Sequence, residues 1–265
     1  MRRLKELAGD PRFISGIFNY CDRWCERCPF TARCLTFATE QEYRGDEEEI
    51  DITNQKFWDV LHTMFEETKE MLEEMAAERG IVLDDATLEA AARDNEKDRH
   101  RRENHPLAKA AMAYAELSRN WFQQHKTALE ELRAKAQDAI QTGLQEFDLH
   151  EVKASTLDAF AIIQWYQFFI GAKVGRSLSQ TADEFIEIDD LQNDANGSAK
   201  IAMIAMQRSI AAWGRIREEL PETEESVLPI LLHLETLLRT MKREFPNAEY
   251  FIRPGFDELS EATVN

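Results

Sequence analysis

Cysteine is scarce in this 265-residue chain: there are four, all between positions 21 and 34. Glycine and proline are few as well, at 10 and 7, which excludes a collagen-like or low-complexity polymer. Long apolar runs are missing. The most apolar stretch, 157–172, is interrupted by Asp158, Gln164 and Gln167 and falls short of the roughly 20 residues that cross a bilayer. The first ten residues are charged and hold no apolar block, so no secretory leader is expected. A reducing cytoplasm is the expected setting, and there clustered cysteines bind metal more often than they form disulfides. Positive charge is the last shortage: 32 Lys and Arg stand against 50 Asp and Glu, a formal charge of −18. That excess argues against nucleic acid and anionic lipid as partners.

What is present is helical periodicity. Hydrophobic residues make up 43% of the chain, enough for a core, and no alternating strand pattern of useful length occurs. Thr53 or Asn54 can cap a helix with the stripe Phe57, Leu61, Met64, Phe65, Thr68, Leu72 and Met75, ending at Gly80. Residues 84–104 are mostly charged and read as a short exposed helix or a mobile connection. Pro106 suits the first turn of the next helix. Its inner face is Leu107, Ala111, Tyr114, Ser118, Trp121, His125, Ala128 and Leu132. A central helix is expected over about 155–178, apolar nearly all round. Two more follow, with Ala202, Met203, Met206, Ser209, Ala212, Trp213 and Ile216 inside the first. The second has its seam at Val227, Ile230, Leu231, Leu234, Leu237, Leu238, Met241 and Phe245. The fold class expected is all-α: a helical bundle of five to six helices behind an N-terminal four-cysteine metal-binding segment. The divisions are 1–44 for the cysteine segment, 53–245 for the bundle and 246–265 for a C-terminal tail, with an acidic linker at 45–49.

The four cysteines form the pattern Cys21-x3-Cys25-x2-Cys28-Pro29-x4-Cys34. Four thiolates this close together can complete a tetrahedral shell from one loop, around a cubane iron–sulfur cluster or a single Zn²⁺. Free thiols or a disulfide switch remain the other options for the same residues. Residues 1–44 carry eight basic against six acidic side chains, so they are +2 while the rest of the chain is −20. Arg23, Arg27 and Arg33 are therefore expected to offset the charge of a metallated site and to lower the thiol pKa values.

The portion Cys25-x2-Cys28-Pro29-x4-Cys34 resembles the loop that holds a [4Fe-4S] cluster in endonuclease III-type DNA glycosylases. It is also similar to the cysteine staple of some recombination- and CRISPR-associated nucleases. The resemblance implies that Cys25, Cys28 and Cys34 are the last three cluster ligands and Cys21 the first. It covers about 14 residues. The first gap is three residues where the glycosylase pattern has six, and no helix-hairpin-helix or nuclease core motif accompanies it. The likeness thus implies a cluster and lends little to DNA repair. The spacing Cys21-x3-Cys25-x2-Cys28 also matches radical S-adenosylmethionine enzymes, but those keep one iron open on a β/α barrel, and this chain has a fourth cysteine and no strand pattern.

Bundles often host carboxylate–histidine metal sites, but no Glu-x-x-His or His-Glu-x-x-His occurs here. The residues left for a second site are His62, Glu66, Glu116 and His125. His125 falls in an apolar stripe, where a hydrogen-bonded core role is the commoner one. His233 lies off its seam and is expected to be exposed. Gln164, Gln167, Gly171 and Gly175 form a stripe suited to a close-packed helix or a ligand. Asp190 to Gly197 is a capping turn and not a calcium loop, because Met203 stands where a bidentate Glu is required. The function expected is that of an iron–sulfur protein passing single electrons to a redox partner protein. The alternatives are a bundle metallo-oxidoreductase with a second metal or cofactor, and a zinc-stapled helical adaptor.

Overall fold

A computed structural model describes residues 7, 9–43, 54–82, 84–127, 129–131, 134, 147–179 and 189–257. The expected acidic linker at 45–49, and Ala128 and Leu132 of the expected inner face, lie outside the described residues. Seven α-helices and no strand occur among the described residues, so the all-α class holds and the count of five to six was low. They are α1 (Leu35–Tyr43), α2 (Gln55–Glu78), α3 (Asp85–Asn104), α4 (Pro106–Gln124), α5 (Phe147–Ser177), α6 (Asp194–Glu219) and α7 (Glu224–Glu244). None of them is long and apolar enough to cross a membrane. The chain divides into two units, one of Met1–Lys97 with Ile252–Asn265 and one of Asp98–Phe251.

The second unit is the bundle. α4 packs on α5 and α7, and α6 packs on α5 and α7, so four helices close a ring. The expected inner residues of α6 are all buried, from Ala202 to Ile216. On α5, Phe160, Ile163, Ile170 and Val174 are at most 1% exposed. Each such side chain contributes about 1.5–3 kcal/mol of transfer free energy, and it is their sum that offsets the entropy of ordering the chain. Trp213 and Tyr114 are fully buried, and the indole Nε1–H of Trp213 donates to Tyr114 Oη at 3.2 Å. Trp121 meets Trp213 edge to face at 5.0 Å between centroids, a geometry that suits the aromatic quadrupole. Asn193 caps α6, its side chain accepting the Asn196 N–H at 2.8 Å, so the capping turn is as expected. Arg176 of α5 grips Asp194 in the first turn of α6 with two bonds, 2.9 and 2.7 Å.

The first unit is built differently. Among its described residues only Ile17 and Ala76 are buried. The expected inner stripe of α2 splits: Phe57, Leu61 and Met64 are half-buried, while Phe65, Leu72 and Met75 face outward with Trp58. Seven residues separate Trp58 from Phe65 and Phe65 from Leu72, so two full turns return them to one outward face. Residues 85–104, expected as a short helix or a connection, form one 20-residue helix. Local charge pairing accounts for it: Asp84 Oδ1 accepts the Thr87 N–H at 2.8 Å, and Arg93 pairs with Glu89 and Lys97 with Asp94. From Asp98 on the helix belongs to the second unit, where nearly buried Asp98 takes ion pairs from Arg101 and Arg102 and a hydrogen bond from Ser179.

Candidate metal centre

The cysteine loop is a chain of tight turns, each with a local cause. Asp22 Oδ1 accepts the Trp24 N–H at 3.2 Å, a side chain standing in for a backbone turn. Arg23 follows at φ 59°, the one non-glycine residue with positive φ among the described residues. An L-residue there costs about 1–2 kcal/mol, strain concentrated between Cys21 and Cys25. Cys25–Arg27 is a 3-10 turn closed by the Cys28 N–H on the Cys25 carbonyl at 3.1 Å. Pro29 then holds Cys28 extended, at φ −87° and ψ 124°. A second 3-10 turn, Thr31–Arg33, is closed by the Cys34 N–H on Thr31 at 3.2 Å. The loop ends are tied by the Ile14 N–H on the Arg33 carbonyl at 3.0 Å.

All four cysteines are half-buried, none is in a disulfide, and all four line one cavity. The aromatic rings of Phe18, Trp24, Phe30 and Phe37 share its walls with Asp22, Arg23, Thr31 and Thr36. Cys28 Sγ accepts the Phe30 N–H at 3.4 Å, the backbone donor that a thiolate ligand needs to spread its charge. Cys34 immediately precedes α1, its carbonyl taking the Ala38 N–H at 3.0 Å, so it sits at the helix end where the dipole favours negative charge. Cys21 Sγ donates to the Phe18 carbonyl at 3.5 Å.

Burial pushes the Cys25 thiol up from its ordinary pKa, and the charges of Glu40 and of the other three cysteines push the same way. At Cys25 this runs against the expectation that the arginines draw the thiol pKa down. Arg23, Arg27 and Arg33 are exposed, and two of them are turned onto rings: Arg27 lies 3.8 Å over Trp24 and Arg23 5.9 Å over Phe18. Solvent screens them, while the thiols share a low-dielectric wall and feel one another. A metal loading here must therefore displace protons. Among the described residues no three His, Cys, Asp or Glu side chains stand close enough to grip an ion as they are. The donor set fits a thiophilic centre: four soft sulfurs face one cavity whose other walls are partly aromatic.

None of the candidates for a second site lines this cavity. His62 and Glu66 are exposed on α2 of the first unit. Glu116 is exposed on α4, at the edge of a broad groove with Arg102, Lys109 and Met112. His125 ends α4 half-buried, stacked on Trp121 at 4.4 Å with Nδ1 2.9 Å from the Trp121 carbonyl, a helix-capping role. His233 is not exposed as expected: its Nε2 reaches the Ala110 carbonyl of α4 at 2.7 Å, across a helix contact that sequence spacing does not reveal. The glycine stripe is only half close-packed. Met112 Sδ would lie 3.1 Å from a Cβ on Gly171, and nothing described comes within 4 Å of one on Gly175.

Sequence spacing found the four sulfurs but missed Glu40 as their charged neighbour, the helix that follows Cys34, and Phe256, which also lines the cavity. The Pro254-Gly255 pair, a turn signal just before an aromatic, was the one available hint of the last. No protein-family model, no curated protein and no solved structure matches this chain.

Proposed function

We propose that this chain is an iron–sulfur protein in which Cys21, Cys25, Cys28 and Cys34 hold a [4Fe-4S] cluster and which exchanges electrons with a redox partner protein. One observation carries the reading: four half-buried thiols from a short loop line a single cavity. A bound cluster supplies one-electron exchange at a potential set by its net charge, hydrogen bonds and exposure. The chain's own residues would set each of these. Phe18, Trp24, Phe30 and Phe37 exclude water, the Phe30 N–H donates to Cys28 Sγ, and exposed Arg23, Arg27 and Arg33 offset the charge of the thiolates. The scarcity of buried residues in the first unit supports a binding energy that also folds the loop, as small metal-stapled units need.

The same four sulfurs suit a structural Zn²⁺, and the coreless character of the unit favours that second reading over a vacant thiol pocket. Metal analysis with absorption spectroscopy on anaerobically purified protein separates the two. The cluster reading expects iron and sulfide at about four each per chain and a broad absorbance near roughly 400 nm. One zinc per colourless chain would replace it with the zinc-stapled adaptor.

A further inference from the structure

The cavity has a wall that comes from the other end of the chain. Phe256 lines it beside the cysteines, and its ring meets Phe30 edge to face, 4.9 Å between centroids at 77°. Three features build the segment that delivers this ring. Arg253 forks onto Asp257 through Nε and Nη2, at 3.1 and 2.8 Å. The Arg253 N–H donates to the same carboxylate at 3.0 Å, and the Phe256 and Asp257 N–H groups return to the Arg253 carbonyl at 3.1 Å. This closes a self-contained turn, with the Arg253 guanidinium 5.0 Å over the Phe256 ring. Gly255 then seats it. At φ 75° it adopts the left-handed conformation, and a Cβ there would lie 2.9 Å from Ile14 Cδ1 and 3.0 Å from Ile17 Cδ1. Only glycine satisfies both the torsion and the space. Among the described residues of the cysteine segment Ile17 is the one that is buried, and the 252–257 turn rests on it.

We infer that residues 252–257 are a built part of the cysteine site, with Phe256 the positioning wall that limits how fast solutes reach the thiols. The inference rests on the proposed function for its biological purpose and on packing alone for its test. The measurement is alkylation of the full-length protein, as purified, by iodoacetamide, with the rate at each cysteine read by mass spectrometry. Phe256→Ala removes the wall, and Gly255→Ala drives a methyl into Ile14 and Ile17. Each is expected to raise the rates at Cys25 and Cys28 about tenfold, as a local opening becomes easier. Phe256→Leu keeps an apolar wall and is expected to stay within about twofold of the parent. Circular dichroism of each variant, unchanged in helix content, assigns the effect to the loop. Rates unchanged in both Phe256→Ala and Gly255→Ala, or raised equally by Phe256→Leu, would overturn the inference. The outcome is separable from the metal reading. Protein that carries no metal yet shows the acceleration upholds the wall and sinks the cluster. Metal-loaded protein whose thiols react at one rate in every variant does the reverse.

Discussion

The two units solve the problem of staying folded in opposite ways. The bundle buries its cost: Trp213, Tyr114, Phe160, Ile163 and Met206 are at most 1% exposed, and helix faces close on helix faces. The unit that carries the cysteines has Ile17 and Ala76 as its buried residues among those described, and it spends strain at Arg23 to turn its loop. Burial scales with area and needs no ligand. A loop of 3-10 turns has little apolar area to hide, so its order must come from bonds that converge on one point. On the proposed reading a bound metal would supply that convergence at the cysteines, whereas the bundle draws its order from burial.

On the proposed reading, the sharpest way to break this contrast is to remove the metal that the cysteines would hold. Chelation under reducing conditions, or Cys25→Ser, is expected to abolish protection of amides 14–34 in hydrogen exchange while the bundle keeps its helical circular dichroism. Apparent binding energies of about 10–16 kcal/mol for structural zinc in peptides set the scale of the loss. A loop that stays protected without metal would mean that its turns suffice. The converse test is Trp213→Ala, expected to cost the bundle about 3–5 kcal/mol in denaturant unfolding with metal content unchanged. Loss of metal in that variant would show that the two units are not energetically separate.

Two smaller effects sharpen the bundle side. Tyr114→Phe leaves the buried Trp213 N–H without its acceptor and is expected to cost about 1–3 kcal/mol at neutral pH. Burial raises the Tyr114 hydroxyl above its ordinary pKa, with weaker opposing bonds from Ser209, Ser118 and Trp213. The unfolded chain therefore loses this proton first as pH rises. The contribution is whole below about 10 and is lost as pH climbs through the folded value. The parent's stability should fall more steeply than the Tyr114→Phe protein's in an alkaline unfolding series, and parallel curves would remove Tyr114 from the account. Gly175→Ala should stabilise α5 by about 0.5–1 kcal/mol, because the backbone gains rigidity and the methyl meets open space. A lower melting temperature would reveal an occupant of the adjoining groove.

Much of the bundle was readable from spacing, because burial there obeys the helix period. Leu107, Ala111, Tyr114, Ser118 and Trp121 were placed inside from the pattern alone, and each is buried. Phe65, Leu72 and Met75 were read inward by the same rule and face outward. Periodicity marks an apolar face but does not say whether anything covers it. The four sulfurs were legible because cysteine is rare and its spacing is chemical. Their surroundings were not. The Phe256 wall and the His233 bond to Ala110 join residues far apart in sequence, and no local rule encodes such a meeting. The raised Cys25 thiol follows from burial and from its neighbours, whereas the nearby arginines are exposed, two of them turned onto rings.

The wall at Phe256 also sets an order in time. The cysteines leave the ribosome early, and Phe256 is synthesised about 220 residues after Cys34. At about 5–20 residues per second, the thiols spend roughly 10–45 s without their last wall. On the proposed reading, a metal or cluster donor would meet an open cavity during that interval and a walled one afterwards. Loading during synthesis and loading of the folded chain would then be two different reactions, with the turn at Gly255 separating them.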